Sequence, residues 1–130
     1  MPHIQIDYSA NMEGRVNIAG LCKTLRDAAA ATGAFALAGI RVRATACTHA
    51  VIADGDPAHG FIDISVRLRG GRSLRDRRRA TDAIFAAATA WCADDMSRNP
   101  LALSLEMRDI DPELSPKTGS IRRFLPGETA

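Results

Sequence analysis

The sequence has few aromatic residues and no recognisable pattern of cysteines or histidines. Aromatic side chains make up 5% of its 130 residues. Cys22, Cys47 and Cys92 are odd in number and far apart, with no CxxC or Cys/His ligand spacing, and each histidine is isolated. We therefore predict buried free thiols, no disulfide, no metal site and no role for the histidines.

Long apolar runs and a secretory signal are also missing. No apolar run approaches the roughly 18 residues that a membrane span requires. The N-terminus lacks a basic segment followed by an apolar one, so we expect a cytoplasmic protein with no membrane partner. The 46% hydrophobic and 25% charged content is ordinary for a globular protein. The length predicts a single domain over residues 1–130.

The net charge of +2 is too small to indicate a nucleic-acid partner, but the distribution of charge is informative. Nine of the 17 basic residues lie in the middle of the chain, and all are arginines: Arg41, Arg43, Arg67, Arg69, Arg72, Arg75, Arg77, Arg78 and Arg79. Arginine binds carboxylates and phosphates through two parallel hydrogen bonds. The arginines therefore favour a small anionic partner.

The densest part of this charge, residues 75–79, is typical of the solvated first turns of a helix. A nucleic-acid patch is the alternative, but no aromatic residues interleave the run for base stacking. Gly70 and Gly71 lack the remaining spacing of a phosphate-binding loop, so they indicate a turn that positions Arg72. We predict no nucleic-acid partner.

The first half of the chain predicts strand, helix and strand. Apolar alternation near the start is followed by helical spacing over roughly 17–32, with Asn17 as the N-cap and Gly33 just past the helix end. Alternation then returns and places Arg41 and Arg43 on the polar face of a second strand.

The second half repeats this order. A strand over residues 62–69 precedes the turn, Ser73 opens a second helix, and Asn99-Pro100 ends it before a fourth strand over residues 101–108. The apolar face of the second helix is predicted to hold Ile84, Phe85, Ala88, Trp91, Cys92 and Met96.

These elements predict an α+β domain built from two βαβ halves, about 1–57 and 58–115, with a C-terminal tail that ends in Pro126–Ala130. Two helices cover only one face of a four-stranded mixed sheet. The other face is polar, so it meets solvent or another subunit. We favour a symmetric oligomer, because a half-covered sheet in a short chain leaves little core.

The chain begins Met1-Pro2, and period 2 places Pro2 on the same face as Ile4 and Ile6. If Met1 is removed, Pro2 becomes a free secondary amine held by a strand, and such an amine can act as a base. The alternative is that Met-Pro is simply a common beginning for a cytosolic chain.

Five collinear motifs resemble the 5-carboxymethyl-2-hydroxymuconate Delta-isomerases, a branch of the tautomerase superfamily. They are Pro2-His3; Ala31-Thr32-Gly33 leading to Leu37-Ala38-Gly39-Ile40-Arg41; Ala53-Asp54-Gly55; Gly71-Arg72-Ser73-Leu74; and Leu101-Ala102-Leu103-Ser104. The resemblance runs from Pro2 to about Phe124.

The resemblance implies a βαββαβ subunit, a homotrimer, no cofactor and no metal. It also implies isomerisation of 5-carboxymethyl-2-hydroxymuconate, a dienol acid from homoprotocatechuate breakdown, to its 2-oxo-3-ene isomer. Pro2 is then the catalytic base, and Arg41 and Arg72 bind the acidic substrate, either within a subunit or across an interface in the case of Arg41.

This chemistry requires a group that accepts and returns a proton near neutral pH. A proline amine is more basic than that, so neighbouring cations and desolvation must lower its pKa. Arg41 and Arg72 can do so while they bind carboxylates and stabilise the dienolate. Two alternatives remain: a tautomerase for another acidic enol, and a non-catalytic oligomeric domain that binds anions or RNA.

Overall fold

The computed structural model of the protein describes residues 1–127, and its elements follow the predicted order. The strands are β1 (His3–Ser9), β2 (Arg41–Cys47), β3 (Gly60–Arg69) and β4 (Leu101–Ile110), and the helices are α1 (Ile18–Ala31) and α2 (Leu74–Arg98). Short 3-10 turns lie at Ala10–Gly14, Leu37–Gly39 and Ile121–Phe124. Glu128, Thr129 and Ala130 of the predicted tail lie outside the described residues. Within residues 1–127 no helix is both long and apolar enough to cross a membrane.

The strands of residues 1–127 form one mixed sheet in the order β2-β1-β3-β4. β1 pairs in parallel with β2 and antiparallel with β3, and β3 pairs in parallel with β4. Each parallel pair is joined through a helix, as a parallel connection requires. The predicted βαββαβ architecture is confirmed, and β1 is an inner strand.

The core lies between one face of this sheet and the two helices. Alternate residues of the inner strands are buried because successive side chains of a strand point to opposite faces. Both strands and helices supply fully buried side chains: Ile4, Ile6, Ile62, Ile64, Leu68, Leu21, Leu25 and Ile84. The opposite face of the sheet therefore carries the polar and charged residues, as the alternation predicts.

The predicted helix boundaries are confirmed by their caps. The side chain of Asn17 accepts a hydrogen bond from the backbone N–H of Gly20 at 2.9 Å, and Ser73 accepts one from the N–H of Asp76 at 3.1 Å. Gly33 follows α1 with a φ of 71°, the left-handed conformation in which glycine is strain-free.

The buried face of α2 differs from the predicted one. Phe85, Trp91 and Met96 are 37%, 40% and 38% exposed. The buried positions are instead Ala80, Ile84, Ala88, Cys92 and Asp95. Phe85 and Met96 lie about 100° around the helix from Ile84 and Asp95, at the edge of the packed stripe. Trp91 lies within the stripe, but its ring packs against the start of α1, where its Nε1 donates to the Asn17 carbonyl at 3.1 Å. The three residues belong to the predicted apolar face, but the fold covers them only in part.

The cysteines are free, but only Cys92 is buried; Cys22 and Cys47 are half-buried, contrary to the predicted burial of all three. Burial raises the pKa of the Cys22 and Cys92 thiols. Both thiols are therefore neutral at physiological pH.

A partly buried ion pair joins the two halves of the chain. The guanidinium of Arg15 donates to both carboxylate oxygens of Asp95, at 3.1 and 2.7 Å. It also donates to the backbone carbonyls of Ala58 and Pro100, at 3.1 and 3.2 Å. Asp95 is 4% exposed and accepts a further bond from Asn99 at 2.9 Å. These bonds fix the end of α2 against the segment between β1 and α1.

We expect Asp95→Ala to lower the free energy of unfolding by about 3 kcal/mol, because it leaves the Arg15 guanidinium without its buried partner. The change is measured by urea denaturation at a fixed protein concentration, since assembly also affects apparent stability.

The same pair predicts a pH dependence. The hydrogen bonds from Arg15 hold the pKa of Asp95 below its ordinary value. The stabilisation that this ion pair provides is therefore present above the pKa of an unfolded aspartate, about 4, and is lost as the pH falls through the lower pKa of the folded state.

The matched control for Asp95→Ala is Asp94→Ala, since Asp94 pairs with Arg98 at the surface. It should change stability by less than about 0.5 kcal/mol. Equal losses of unfolding free energy in Asp95→Ala and Asp94→Ala would contradict the stabilising role of the Arg15–Asp95 pair.

Candidate active site

Pro2 lies immediately before β1 and is buried. Its carbonyl oxygen accepts a hydrogen bond from the backbone N–H of Arg41 at 3.1 Å. This bond extends the pairing of β1 with β2 to the very start of the chain. Pro2 is therefore held at the end of an inner strand, on a folded surface as predicted, directly beside the first residue of β2.

Met1 borders an open cavity of about 220 Å³ next to Pro2. The other lining residues come from the turn before β2, from the start of β2 and from the segment after β4: Ala38, Gly39, Arg41, Lys117, Thr118, Gly119, Ile121 and Arg122. Residues that are distant in sequence thus meet around the N-terminus.

The cavity is strongly cationic. Arg41, Lys117 and Arg122 lie on its wall, and none of the described residues that line it is acidic. Partial burial lowers the pKa of the Met1 amine below its ordinary value, and the charges of Lys117, Arg41, Arg72 and Arg69 lower it further. An amine at this position loses its proton more readily than one in solution. The cavity therefore favours a neutral amine and attracts anions.

Gly39 allows the chain terminus to lie against the turn before β2. A β-carbon at this position would lie 2.4 Å from the Met1 nitrogen, far closer than nonbonded atoms approach. Its φ is not in the left-handed region, so the glycine is needed for the space that Met1 occupies and not for its backbone conformation. Any larger residue would displace the N-terminal amine.

Arg41 begins β2 on the polar face of the sheet, and its Nη1 donates to Nε2 of His3 at 3.3 Å. Partial burial lowers the pKa of His3, and the charges of Arg67, Arg41 and Arg43 lower it further. His3 is therefore a neutral acceptor that orients Arg41. No sequence pattern predicts this contact, because it depends on the register of β1 with β2.

Arg72 lies in the loop between β3 and α2, immediately after Gly71, whose φ of 108° confirms the predicted turn. Its guanidinium carbon lies 5.0 Å from the centre of the Phe35 ring, a cation–π contact. Arg72 borders a different cavity, with Thr32 and Arg79, and does not line the cavity beside Met1. The fold thus brings Arg41 to the N-terminus directly, whereas Arg72 acts on the Met1 amine through its charge.

Lys117 and Arg122 were not predicted as site residues. Both lie after β4, in a segment without regular alternation, so no periodic pattern connects them with the N-terminus. The available signal is compositional: Lys23 and Lys117 are the only lysines in a chain rich in arginine.

The described residues contain no cluster of three or more His, Cys, Asp or Glu side chains arranged to hold a metal ion.

Comparisons with known proteins place this chain in a family. The model of the 5-carboxymethyl-2-hydroxymuconate isomerase family matches residues 2–125. The 5-carboxymethyl-2-hydroxymuconate Delta-isomerase of Escherichia coli is 31% identical over 121 residues, which cover 93% of this chain and 96% of that protein.

Solved structures agree with this result. A crystal structure of a 5-carboxymethyl-2-hydroxymuconate Delta-isomerase superposes with a TM-score of 0.89 at 29% identity, covering 99% of this chain and 96% of the other. The isomerase from Deinococcus radiodurans R1 superposes with a TM-score of 0.87 at 27% identity, covering 95% and 94%. The chain is therefore a member of the 5-carboxymethyl-2-hydroxymuconate isomerase family, an isomerase with the tautomerase fold.

Proposed function

We propose that this isomerase converts 5-carboxymethyl-2-hydroxymuconate into its 2-oxo-3-ene isomer, with the amine of Pro2 as the base. The observation that carries the proposal is the position of Pro2, buried at the start of an inner strand beside a cation-lined cavity that lowers the pKa of an amine. The name of the Escherichia coli relative supports the choice of substrate.

The proposed active form lacks Met1. With Met1 in place the Pro2 nitrogen is an amide and cannot accept a proton. Consecutive α-carbons are about 3.8 Å apart, so removal of Met1 moves the terminal amine by no more than one residue, towards the buried end of β1. The burial and the cations that act on the Met1 amine then act on the Pro2 amine.

The reaction moves one proton and shifts the double bonds. The neutral Pro2 amine takes the proton of the 2-hydroxyl group, and the resulting dienolate carries negative charge on O2 and C5. The protonated amine then returns the proton to C5. A C2=O bond and a C3=C4 bond form as the two original double bonds are lost, so atoms and charge balance.

Arg41 and Arg72 have two roles in this proposal. Each guanidinium holds a substrate carboxylate through charge-assisted hydrogen bonds. Their positive charge also stabilises the dienolate, which is the electrostatic contribution that usually dominates such reactions. The stacking of Arg72 on Phe35 limits the orientations of its guanidinium before substrate binds.

We also propose that the polar face of the sheet is covered by other subunits in a closed homotrimer. This face is cationic at one end of the sheet, where Arg41, Arg67 and Arg108 lie in register around the neutral His3, and acidic further along, where Asp7 lies opposite Asp63. Such a gradient suits head-to-tail contacts between identical subunits.

Two further observations support the trimer. Phe124, in the 3-10 turn Ile121–Phe124, is 75% exposed in the isolated chain. A fused 4-OT with the same fold is a symmetric trimer; it is 19% identical to this chain with a TM-score of 0.64.

The first prediction from this proposal separates a defined site from a diffuse anion-binding surface. Arg41→Ala and Arg72→Ala should each lower kcat/KM by roughly 2 to 4 kcal/mol, because both contacts strengthen as charge develops on the dienolate. Arg78→Ala is the matched control, since Arg78 is exposed on α2. Equal losses at Arg78 and Arg72 would favour a polyanion-binding surface instead.

The second prediction tests the base. A protein with a removable N-terminal extension should be inactive before cleavage, and active after cleavage leaves Pro2 first. The activity of the cleaved form should rise with pH through one ionisation below that of free proline, because only the neutral amine accepts a proton. Pro2→Ala keeps a primary amine and should retain part of the activity. Thermal melting checks that the forms fold alike, and full activity in the extended protein would rule out Pro2 as the base.

The third prediction concerns assembly. Light scattering should give a mass about three times the 13.9 kDa of the chain. Arg43→Glu, on the polar face of the sheet, should weaken the assembly by placing an acid where the face is cationic. The matched control is Arg26→Glu on the exposed side of α1, which should leave the mass unchanged. A wild-type protein that is a stable monomer would contradict the proposed homotrimer.

A further inference from the structure

The segment after β4 folds back to the start of the chain. The backbone N–H of Gly70 donates to the carbonyl of Ile110 at 3.0 Å, and the guanidinium of Arg69 donates to the carbonyl of Pro112 at 3.3 Å. The Asp111 carboxylate accepts from the N–H of Glu113 at 2.9 Å, and the Ser115 hydroxyl donates to the Asp111 carbonyl. These bonds set the direction in which the chain leaves the sheet.

This direction brings Lys117 to the wall of the cavity beside Met1. Among the charges that act on the terminal amine, that of Lys117 has the largest effect, ahead of Arg41 and Arg72. Lys117 is itself exposed in the isolated chain, so its ammonium group is available to a ligand. Its side chain therefore presents a positive charge close to the atom that is proposed to carry the proton.

The substrate has one more carboxylate than the arginines account for. Muconate supplies two carboxylates and the carboxymethyl arm supplies a third, whereas Arg41 and Arg72 bind one each in the proposed mechanism. Two of the three are attached through C5, the carbon that receives the proton. A cation close to the amine is therefore also close to the carboxylates at this end of the substrate.

We propose that Lys117 is a further substrate-binding residue, whose ammonium group binds the carboxylate of the carboxymethyl arm. The inference rests on the proposed function and deepens it, because this contact distinguishes the triacid from 2-hydroxymuconate, which has the same dienol but lacks the arm. Lys117 also has a second effect: its charge favours the neutral form of the amine until the carboxylate neutralises it.

The test compares kcat/KM for the two substrates in wild-type protein and in Lys117→Ala. At a pH above the acid limb of both proteins, the variant should lose about ten- to a hundredfold on the triacid, as expected for one charge-assisted contact, and less than about threefold on the diacid. Most of this loss should appear as a higher KM, and Lys117→Arg should recover most of the wild-type kcat/KM on the triacid. The matched control is Lys23→Ala, which removes the exposed lysine of α1 and should leave kcat/KM for both substrates unchanged.

The pH profile provides an independent readout. Removing the Lys117 charge lets the amine hold its proton more strongly, so the acid limb of kcat/KM for the diacid should move to higher pH in Lys117→Ala and stay in place in Lys117→Arg. A purely structural role for Lys117 would lower thermal stability without moving this limb.

The outcomes distinguish the two proposals. A wild-type protein that isomerises neither substrate overturns the proposed function and this inference with it. An active wild-type protein whose preference for the triacid is unchanged by Lys117→Ala overturns this inference alone. Loss of that preference in Arg122→Ala but not in Lys117→Ala would assign the third carboxylate to Arg122, and it would also overturn the inference about Lys117.

Discussion

The hydrogen bond from the Arg41 N–H to the Pro2 carbonyl begins the pairing on which the site depends. It extends the β1–β2 ladder to the second residue of the chain, and β3 holds β1 from the other side. A chain terminus usually frays unless it is tied into a sheet or packed against a core. Here it is tied at an inner strand, so a terminal amine is held in one place and partly desolvated.

The polarity of the sheet follows from the same arrangement. Each strand presents apolar residues to the helices and polar residues to the opposite face, because side chains alternate along a strand. The register of β1 with β2 and β3 then gathers His3, Arg41 and Arg67 at the end where the chain begins. The alternation of side chains and the register of the strands thus place the core on one side of the sheet and positive charge beside the amine on the other.

Periodicity and caps predicted most of the fold, because the information for both is local. Asn17 and Ser73 cap the helices as expected, and alternation identified each strand. The apolar face of α2 was predicted only in part: Phe85 and Met96 share that face but lie at the edge of the stripe that packs on the sheet. Helical spacing tells which residues share a face, but the angle at which the helix packs decides which part of that face is buried.

The sequence by itself determined the order of elements, the family resemblance and the choice of Pro2, Arg41 and Arg72 as candidate site residues. Motifs and short-range patterns carry this information, and the comparisons confirm the family. Only the tertiary structure decided which cations surround the terminus. Lys117 is more than a hundred residues from Met1 along the chain and reaches it because the bonds of Gly70, Arg69 and Asp111 turn the segment after β4 back across the sheet. Contacts of that separation depend on the path of the whole chain, and no local pattern encodes them.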